Sequence, residues 1–251
     1  MRLKDKTAVV TGAGSGFGEG IAVRFAEEGA SVLVADINED SAARVAQAIS
    51  DDGGRAQAFR VDVSDTSQVK AMMDEAESAF GGMDILVNNA GIAQRRGPML
   101  EVTEDEFERI YAVNVKSIYL TAVHGIPLLR KSADGNIVNI ASTAAVSPRP
   151  GLTWYNGSKG AVVTLTQSMA AELAPEKIRV NAVNPVIGET GLTEAFMGGD
   201  TPELREKFVA TIPLGRMSTP RDIANASLYL ASNEADFITG VAMEVDGGRC
   251  I

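Results

Sequence analysis

Three side chains in the middle of the chain have the types and spacing to move a proton. Tyr155 and Lys159 lie four residues apart and open an apolar segment, Ala161 to Leu173, that reads as a helix. Positions i and i+4 share a helix face, so the phenol and the ammonium point the same way. Ser142 follows the apolar run Ile137-Val-Asn-Ile140, which reads as a buried strand, and a hydroxyl at that strand end can meet them. A free tyrosine titrates near ~10, and a neighbouring ammonium favours the phenolate and lowers that value. Phenol, ammonium and hydroxyl together suit acid–base chemistry on a carbonyl or alcohol oxygen near neutral pH. On spacing alone, Tyr-x-x-x-Lys also fits a helix start with two unrelated surface residues. The elements around it must decide.

Those elements alternate. Thr7-Ala-Val-Val-Thr11 is a strand, ended by Gly12-Ala-Gly-Ser-Gly-Phe-Gly18, and a helical pattern through Ile21, Phe25 and Ala26 stops at Gly29. Ser31 to Asp36 is a second strand, apolar enough for a parallel strand covered on both faces. Glu39 to Ser50 is helical, Ala56 to Val61 a third strand, and Ser64 the expected cap of a helix to Phe80. Asp84 to Gly91 carries a fourth strand into a polar turn, and Thr103 with Glu106 forms a capping box for a helix expected to run through Asn114. The fifth strand is Gly135 to Ile140, the sixth Ile178 to Val183 and the last Val241 to Val245. Between the last two, an irregular stretch is expected from Asn184 to about Lys207, then a helix starting at Thr219-Pro220-x-Asp222. This alternation argues one α/β domain over residues 1–251, doubly wound, with a seven-stranded parallel sheet. Ligands in such sheets bind beyond the carboxyl ends of the strands, where the unusual residues of this chain fall.

Composition narrows the function. The 251 residues are 45% hydrophobic and carry a net charge of −10, which argues against nucleic acid and against an anionic membrane surface as partners. The only cysteine, Cys250, excludes an internal disulfide, and the only histidine, His124, cannot build a Cys/His metal site. Both read most simply as structural, so no metal is expected. The chain enters its first strand with no signal-peptide pattern and no transmembrane-length run, so a cytoplasmic protein is expected.

The glycine turn Gly12-x-x-x-Gly16-x-Gly18 joins the first strand to the first helix. Glycines allow a tight turn and close backbone approach, and the helix N-terminus offers N–H groups and partial positive charge to a pyrophosphate. A tight βα turn without a ligand fits the same residues. Asp36 ends the second strand 18 residues after Gly18. A carboxylate there accepts hydrogen bonds from the ribose 2′-OH of NAD and repels the 2′-phosphate of NADP. The residues that follow, Ile37, Asn38, Glu39 and Asp40, offer no cation, and Arg44 lies a helical turn further on. NAD is therefore favoured over NADP.

Taken together, Thr11 to Gly18, Asp62-Val63, Asn88-Asn-Ala-Gly91, Asn114, Ser142 and Tyr155-Asn-Gly-Ser-Lys159 resemble a short-chain dehydrogenase/reductase over nearly the whole chain. The resemblance implies a single Rossmann-like domain, a nicotinamide cofactor, a small-molecule alcohol or carbonyl substrate, and a homotetramer or dimer. It casts Tyr155 as the acid/base. Lys159 would hold the nicotinamide ribose and lower the tyrosine's pKa, Ser142 would partner the substrate oxygen, and Asn114 would position a water in a proton relay to Lys159. Read without the family, Asn114 is a polar residue among Ile110, Val113, Val115 and Ile118 that needs hydrogen-bond partners if buried. The cofactor contacts implied are Gly12, Ser15, Gly16, Phe17 and Gly18 at the turn, Asp36 and Ile37, Asp62 and Val63 at the adenine, Asn89, Ala90 and Gly91, Tyr155 and Lys159, and Pro185, Ile187, Gly188 and Thr190.

One departure stands out. Where the family often has Pro-Gly-x-Val/Ile-x-Thr, this chain has Pro185-Val-Ile-Gly-Glu-Thr190. Gly188 replaces an aliphatic residue, so apolar cover beside the nicotinamide is expected from Val186 or Ile187. This variant, with Gly151-Leu-Thr-Trp-Tyr155 and the Val245-Asp-Gly-Gly-Arg249 ending, resembles a bacterial branch that includes aromatic-alcohol and aldehyde dehydrogenases. Residues from about 188 to 210, rich in glycine, are expected to form a substrate lid. Gln94, Arg96, Ala144, Arg149 and Trp154, with Arg95 nearby, are the candidate substrate residues, and the arginines can bind a carboxylate or sulfonate. The expected activity is NAD-dependent interconversion of an alcohol and a carbonyl. The alternatives are an NADP-dependent 3-oxoacyl carrier-protein reductase and a non-catalytic cofactor-binding sensor.

Overall fold

The computed structural model describes every residue except Leu192. Seven strands form one all-parallel sheet in the order β3-β2-β1-β4-β5-β6-β7. They are β1 (Thr7–Thr11), β2 (Ser31–Asp36), β3 (Arg55–Arg60), β4 (Ile85–Asn88), β5 (Asn136–Ile140), β6 (Arg179–Pro185) and β7 (Ala242–Val245). The nine helices among the described residues are α1 (Gly16–Glu27), α2 (Glu39–Asp51), α3 (Thr66–Phe80), α4 (Glu104–Tyr111), α5 (Ser117–Leu129), α6 (Thr153–Leu173), α7 (Thr193–Met197), α8 (Pro202–Val209) and α9 (Pro220–Ala231). The expected doubly wound α/β fold is the one observed.

Side-chain alternation along the strands feeds two cores. Ala8, Val10, Val32 and Val34 face Phe25, Val45 and Leu228 of α1, α2 and α9, while Val9, Leu33 and Ala35 face Met72, Leu129 and Ala170 of α3, α5 and α6. Every residue of β1, β4 and β5 is buried. This is why those strands read as short apolar runs rather than as alternating ones. Burying each Val, Leu or Ile is worth about 1.5–3 kcal/mol, enough to fix the register of a two-faced sheet. The chain winds from β1 out to β3, then returns to β4 on the other side of β1. The crevice at this switch opens beyond the ends of β1 and β4.

Several local expectations are corrected. Asp65, not Ser64, caps α3, accepting from Ser67 N and Gln68 N at 2.8 and 3.0 Å, whereas the Ser64 hydroxyl donates to Asp62. Thr103 does cap α4, with its Oγ1 accepting from Glu106 N. That helix does not run on as regular α-helix through Asn114, because residues Ala112–Lys116 widen into a π-helical turn. The stretch expected to be irregular after β6 instead holds α7 and α8, with Thr201 capping the second. Leu192, inside the expected 188–210 lid, lies outside the described residues. Among those described, no helix is long and apolar enough to cross a membrane.

Candidate active site

The sheet's carboxyl edge opens into a cavity of about 600 Å³. Its walls bring together residues from six strand ends: Gly12, Asp36, Val61, Asn89, Ile140 and Pro185, with Tyr155 and Lys159 rising from α6.

The glycine turn is shaped by what it must pass. Gly12 and Gly16 hold φ of 62° and 56°, a backbone region that favours glycine. A Cβ on Gly18 would lie 2.1 Å from Gly12 O and 2.4 Å from Asn89 Nδ2, so no side chain fits there. Asn89 fastens the turn from below, donating from Nδ2 to Thr11 O at 2.8 Å and to Gly12 O at 3.0 Å. Thr11 Oγ1 accepts from the N–H groups of Asn89 and Ala90, each at 3.1 Å. Asn89 thus contributes to the site mainly as a brace. The N-terminus of α1 is left facing the cavity past Ser15, Gly16 and Phe17, a cradle that fits a pyrophosphate.

At the far end Asp36 accepts from Gly14 N at 2.8 Å and Asn38 N at 2.9 Å, which holds its carboxylate at the cavity wall beside the exposed Ile37. Arg44 does reach back, as its position allowed. Its guanidinium donates to Gly14 O at 2.9 Å and is tied at 2.8 Å to both oxygens of Glu19. Asp62 is fixed by Ser64, whose N–H and hydroxyl both donate to Oδ1, with Val63 buried beside it.

Ser142, Tyr155 and Lys159 line the same cavity. Ser142 stands one residue past Ala141 at the end of β5, and its Oγ accepts from Ala144 N at 3.1 Å. Its hydroxyl is close enough to the Tyr155 phenol to favour the phenolate. Lys159 donates to Ile140 O at 2.8 Å, and its Nζ lies 5.9 Å from the centre of the Tyr155 ring. The expected lowering of the phenol is reversed here. Burial pushes Tyr155 up to about 12, against the opposing pull of the Ser142 hydroxyl and the Arg149 charge. Burial also pushes Lys159 down to about 8. At neutral pH the phenol is therefore a proton donor and the lysine still a cation.

Asn114 is 2% exposed and its amide is fully engaged. Oδ1 accepts from Ile92 N at 2.9 Å, and Nδ2 donates to Ile92 O and to Ser158 Oγ, each at 3.0 Å. The π-helical turn presents it, a distortion common at functional sites. Its side chain clamps the segment after β4 against α6 rather than facing the cavity.

The substrate candidates divide. Arg149 lines the cavity; Gln94, Arg96, Ala144 and Trp154 do not. Gln94 is wholly buried and caps α6, its Oε1 accepting from Trp154 N at 3.0 Å and Tyr155 N at 3.2 Å while Nε2 donates to Gly151 O. Trp154 packs edge-on against Phe107 and donates to Met99 O. Ala144 is buried and Arg96 exposed. Sequence reasoning missed Phe196 of α7, whose ring lies tilted at 57° against Tyr155 with ring centres 4.9 Å apart. No local pattern signals that contact. Val186, Ile187 and Phe17 line the cavity beside Pro185, and the Phe17 ring fills the space over Gly188.

This geometry has counterparts of known kind. A family profile described as enoyl-(acyl carrier protein) reductase matches residues 12–249. The chain is 50% identical over 252 residues to a 4-formylbenzenesulfonate dehydrogenase of Comamonas testosteroni, covering 100% of both. The chain is a short-chain dehydrogenase/reductase. As such it is an oxidoreductase acting on CH–OH groups. Within the short-chain dehydrogenase/reductases it is also 39% identical to a meso-2,3-butanediol dehydrogenase of Serratia marcescens, covering 99% of this chain and 96% of that one. Its fold superposes with a TM-score of 0.93 and 47% identity on a 3-ketoacyl-(acyl-carrier-protein) reductase from Brucella melitensis crystallised with NADH, covering 99% and 100% of the two chains.

Proposed function

We propose that this short-chain dehydrogenase/reductase interconverts an alcohol and a carbonyl using NAD(H), with Tyr155 as the acid/base. The observation that carries the reading is the meeting of Ser142, Tyr155 and Lys159 in one cavity with the glycine turn and Asp36. The turn would hold the pyrophosphate, Asp36 the adenosine ribose, Asp62 and Val63 the adenine, and Lys159 the nicotinamide ribose. The cofactor would accept or donate the hydride. Ser142 orients the substrate oxygen. In reduction Tyr155, neutral at pH 7, gives its proton to that oxygen. In oxidation the phenol must first lose its proton, and the Lys159 cation stabilises the phenolate.

NAD is favoured over NADP because Asp36 places a carboxylate where a 2′-phosphate would sit, and Arg44 is already committed to Glu19. A carrier-protein reductase is the second reading, prompted by the Brucella melitensis structure. The net charge of −10 would repel an acidic carrier. Assembly as a homotetramer or dimer follows from the family and fits the exposed Tyr119 and Val123, neighbours on α5.

The test is Tyr155→Phe assayed with benzylic and secondary alcohols and NAD, following nicotinamide absorbance. Turnover should fall at least about a hundredfold while NAD still binds. Unchanged turnover would remove Tyr155 from the chemistry. Reduction of an acetoacetyl carrier thioester with NADPH, faster than any alcohol–NAD pair, would favour the second reading.

A further inference from the structure

Beyond the reacting groups, the cavity wall carries a cation with no counter-charge. Arg149 lies in the loop before α6, half-buried, and lines the cavity that Ser142 and Tyr155 also line. Its guanidinium stands over the Phe208 ring of α8 at 5.6 Å, and Arg249, from the chain's end, stands over the same ring at 5.5 Å. Arg96 adds a third positive charge close enough to act on Arg149. Among the described residues none of these three has a carboxylate within ion-pair distance, whereas Arg24, Arg44, Arg130, Arg205, Arg216 and Arg221 all do.

That contrast matters in a chain with 33 acidic residues against 23 basic ones. Carboxylates are plentiful, yet Arg149, half-buried at the cavity wall, is left without one. Burial pushes Arg149 below its ordinary value, and the charge of Arg249 pushes the same way. Two like charges held together across one ring, one of them partly desolvated, are unfavourable until an anion joins them. A guanidinium presents paired donors that match carboxylate or sulfonate oxygens. Phe196, tilted against Tyr155, lines the same cavity as Arg149, so an aromatic ring borders the space that cation and acid share.

We propose that Arg149, supported by Arg249 across the Phe208 ring, is the anion-binding end of the substrate pocket. The substrate is then an alcohol or carbonyl compound, aromatic or otherwise planar, with a carboxylate or sulfonate at the end remote from the reacting carbon. This rests on the dehydrogenase reading above and names the substrate class for it. Arg249 and Phe208 are specificity-determining residues that the sequence did not single out.

The test uses unreactive probes, so it does not depend on turnover. Binding of benzenesulfonate, benzoate and neutral toluamide to the enzyme–NADH complex is measured by calorimetry for wild type, Arg149→Gln, Arg149→Lys, Arg249→Gln and Arg109→Gln, with thermal melts confirming the fold. Arg109 is an exposed cavity arginine and reports general loss of charge. Either anion should bind wild type at least about thirtyfold more tightly than toluamide, the scale of one charge-assisted contact. Arg149→Gln should abolish that preference, Arg149→Lys should keep part of it, Arg249→Gln should reduce it, and Arg109→Gln should reduce it least. The stronger of the two anions identifies the headgroup. Anions binding no better than toluamide, or Arg109→Gln matching Arg149→Gln, overturns the proposal. Failure of the dehydrogenase reading would look different: the anions bind, but no alcohol is oxidised with NAD.

Discussion

The ring of Phe17 occupies the space that a side chain at position 188 would need. A Cβ on Gly188 would lie 2.5 Å from Phe17 Cζ and 2.7 Å from Ser218 Oγ. Gly188 does not have a positive φ, so room rather than backbone freedom demands a glycine. The departure of Pro185-Val-Ile-Gly-Glu-Thr190 from the family pattern is therefore one half of an exchange, with the apolar bulk supplied from α1. Gly188→Val should cost about 1–3 kcal/mol in overpacking and raise the KM for NAD. Adding Phe17→Ala should restore much of both. Thermal melts and cofactor kinetics on the two singles and the double complete the cycle, and strict additivity would mean that the two positions are not coupled.

What the sequence disclosed and what it hid separate along a physical line. The strands were legible because a parallel strand buried on both faces must be apolar throughout, as in Val9-Val10 and Leu86-Val87. That Gly12, Gly16, Asp36, Ser142, Tyr155 and Lys159 meet at one cavity was legible because each falls at a strand end or on a helix face that the fold turns toward it. The Phe17–Gly188 exchange was not, because, although Gly188 stood out as a departure, the ring that compensates it lies 171 positions away. Gln94 was misjudged for a related reason. A polar residue near the site looks like a ligand contact until the backbone N–H groups that it caps are known. The π-helical turn at Asn114 leaves no mark in a local helical pattern, and Phe196, Phe208 and Arg249 reach the site from segments whose position depends on the finished fold.

Gln94 acts on catalysis through the helix it caps. Gln94→Ala would leave Trp154 N and Tyr155 N, both at the start of α6, without their acceptor. The expected loss is about 1–3 kcal/mol of stability, the cost of unpaired buried donors. Because Tyr155 is one of the two residues capped, kcat should fall while the KM for NAD stays near wild type. Equal losses in both would mark Gln94 as merely structural.

Burying the Lys159 ammonium costs stability. Its folded value of about 8 lies below the unfolded 10.5, so the folded state disfavours the proton. The penalty is fully present below pH 8, declines as pH rises from about 8 to 10.5, and is absent above that range. Lys159→Met, apolar and of similar length, should therefore be inactive yet more stable than wild type at pH 7, by about 3 kcal/mol at most. The two melting curves should approach each other as pH rises above about 8 and converge only beyond 10.5. A variant less stable than wild type at pH 7 would show that the Ile140 hydrogen bond outweighs the burial of the charge.

Cofactor choice should be reversible by two substitutions around Arg44. In the wild type, Asp36 faces the cavity and the Arg44 guanidinium, which already donates to Gly14 O, is neutralised by both oxygens of Glu19. Asp36→Ala removes the repulsion of a 2′-phosphate but supplies no attraction, so it should narrow the preference for NAD without inverting it. Adding Glu19→Ala frees Arg44 a few ångströms from the same wall, where one charge-assisted contact is worth about tenfold or more. The double variant should then favour NADP in kcat/KM. A wild type that already prefers NADP would contradict the role given to Asp36. A double variant no closer to NADP than Asp36→Ala alone would show that Arg44 cannot turn from Gly14 to the ribose.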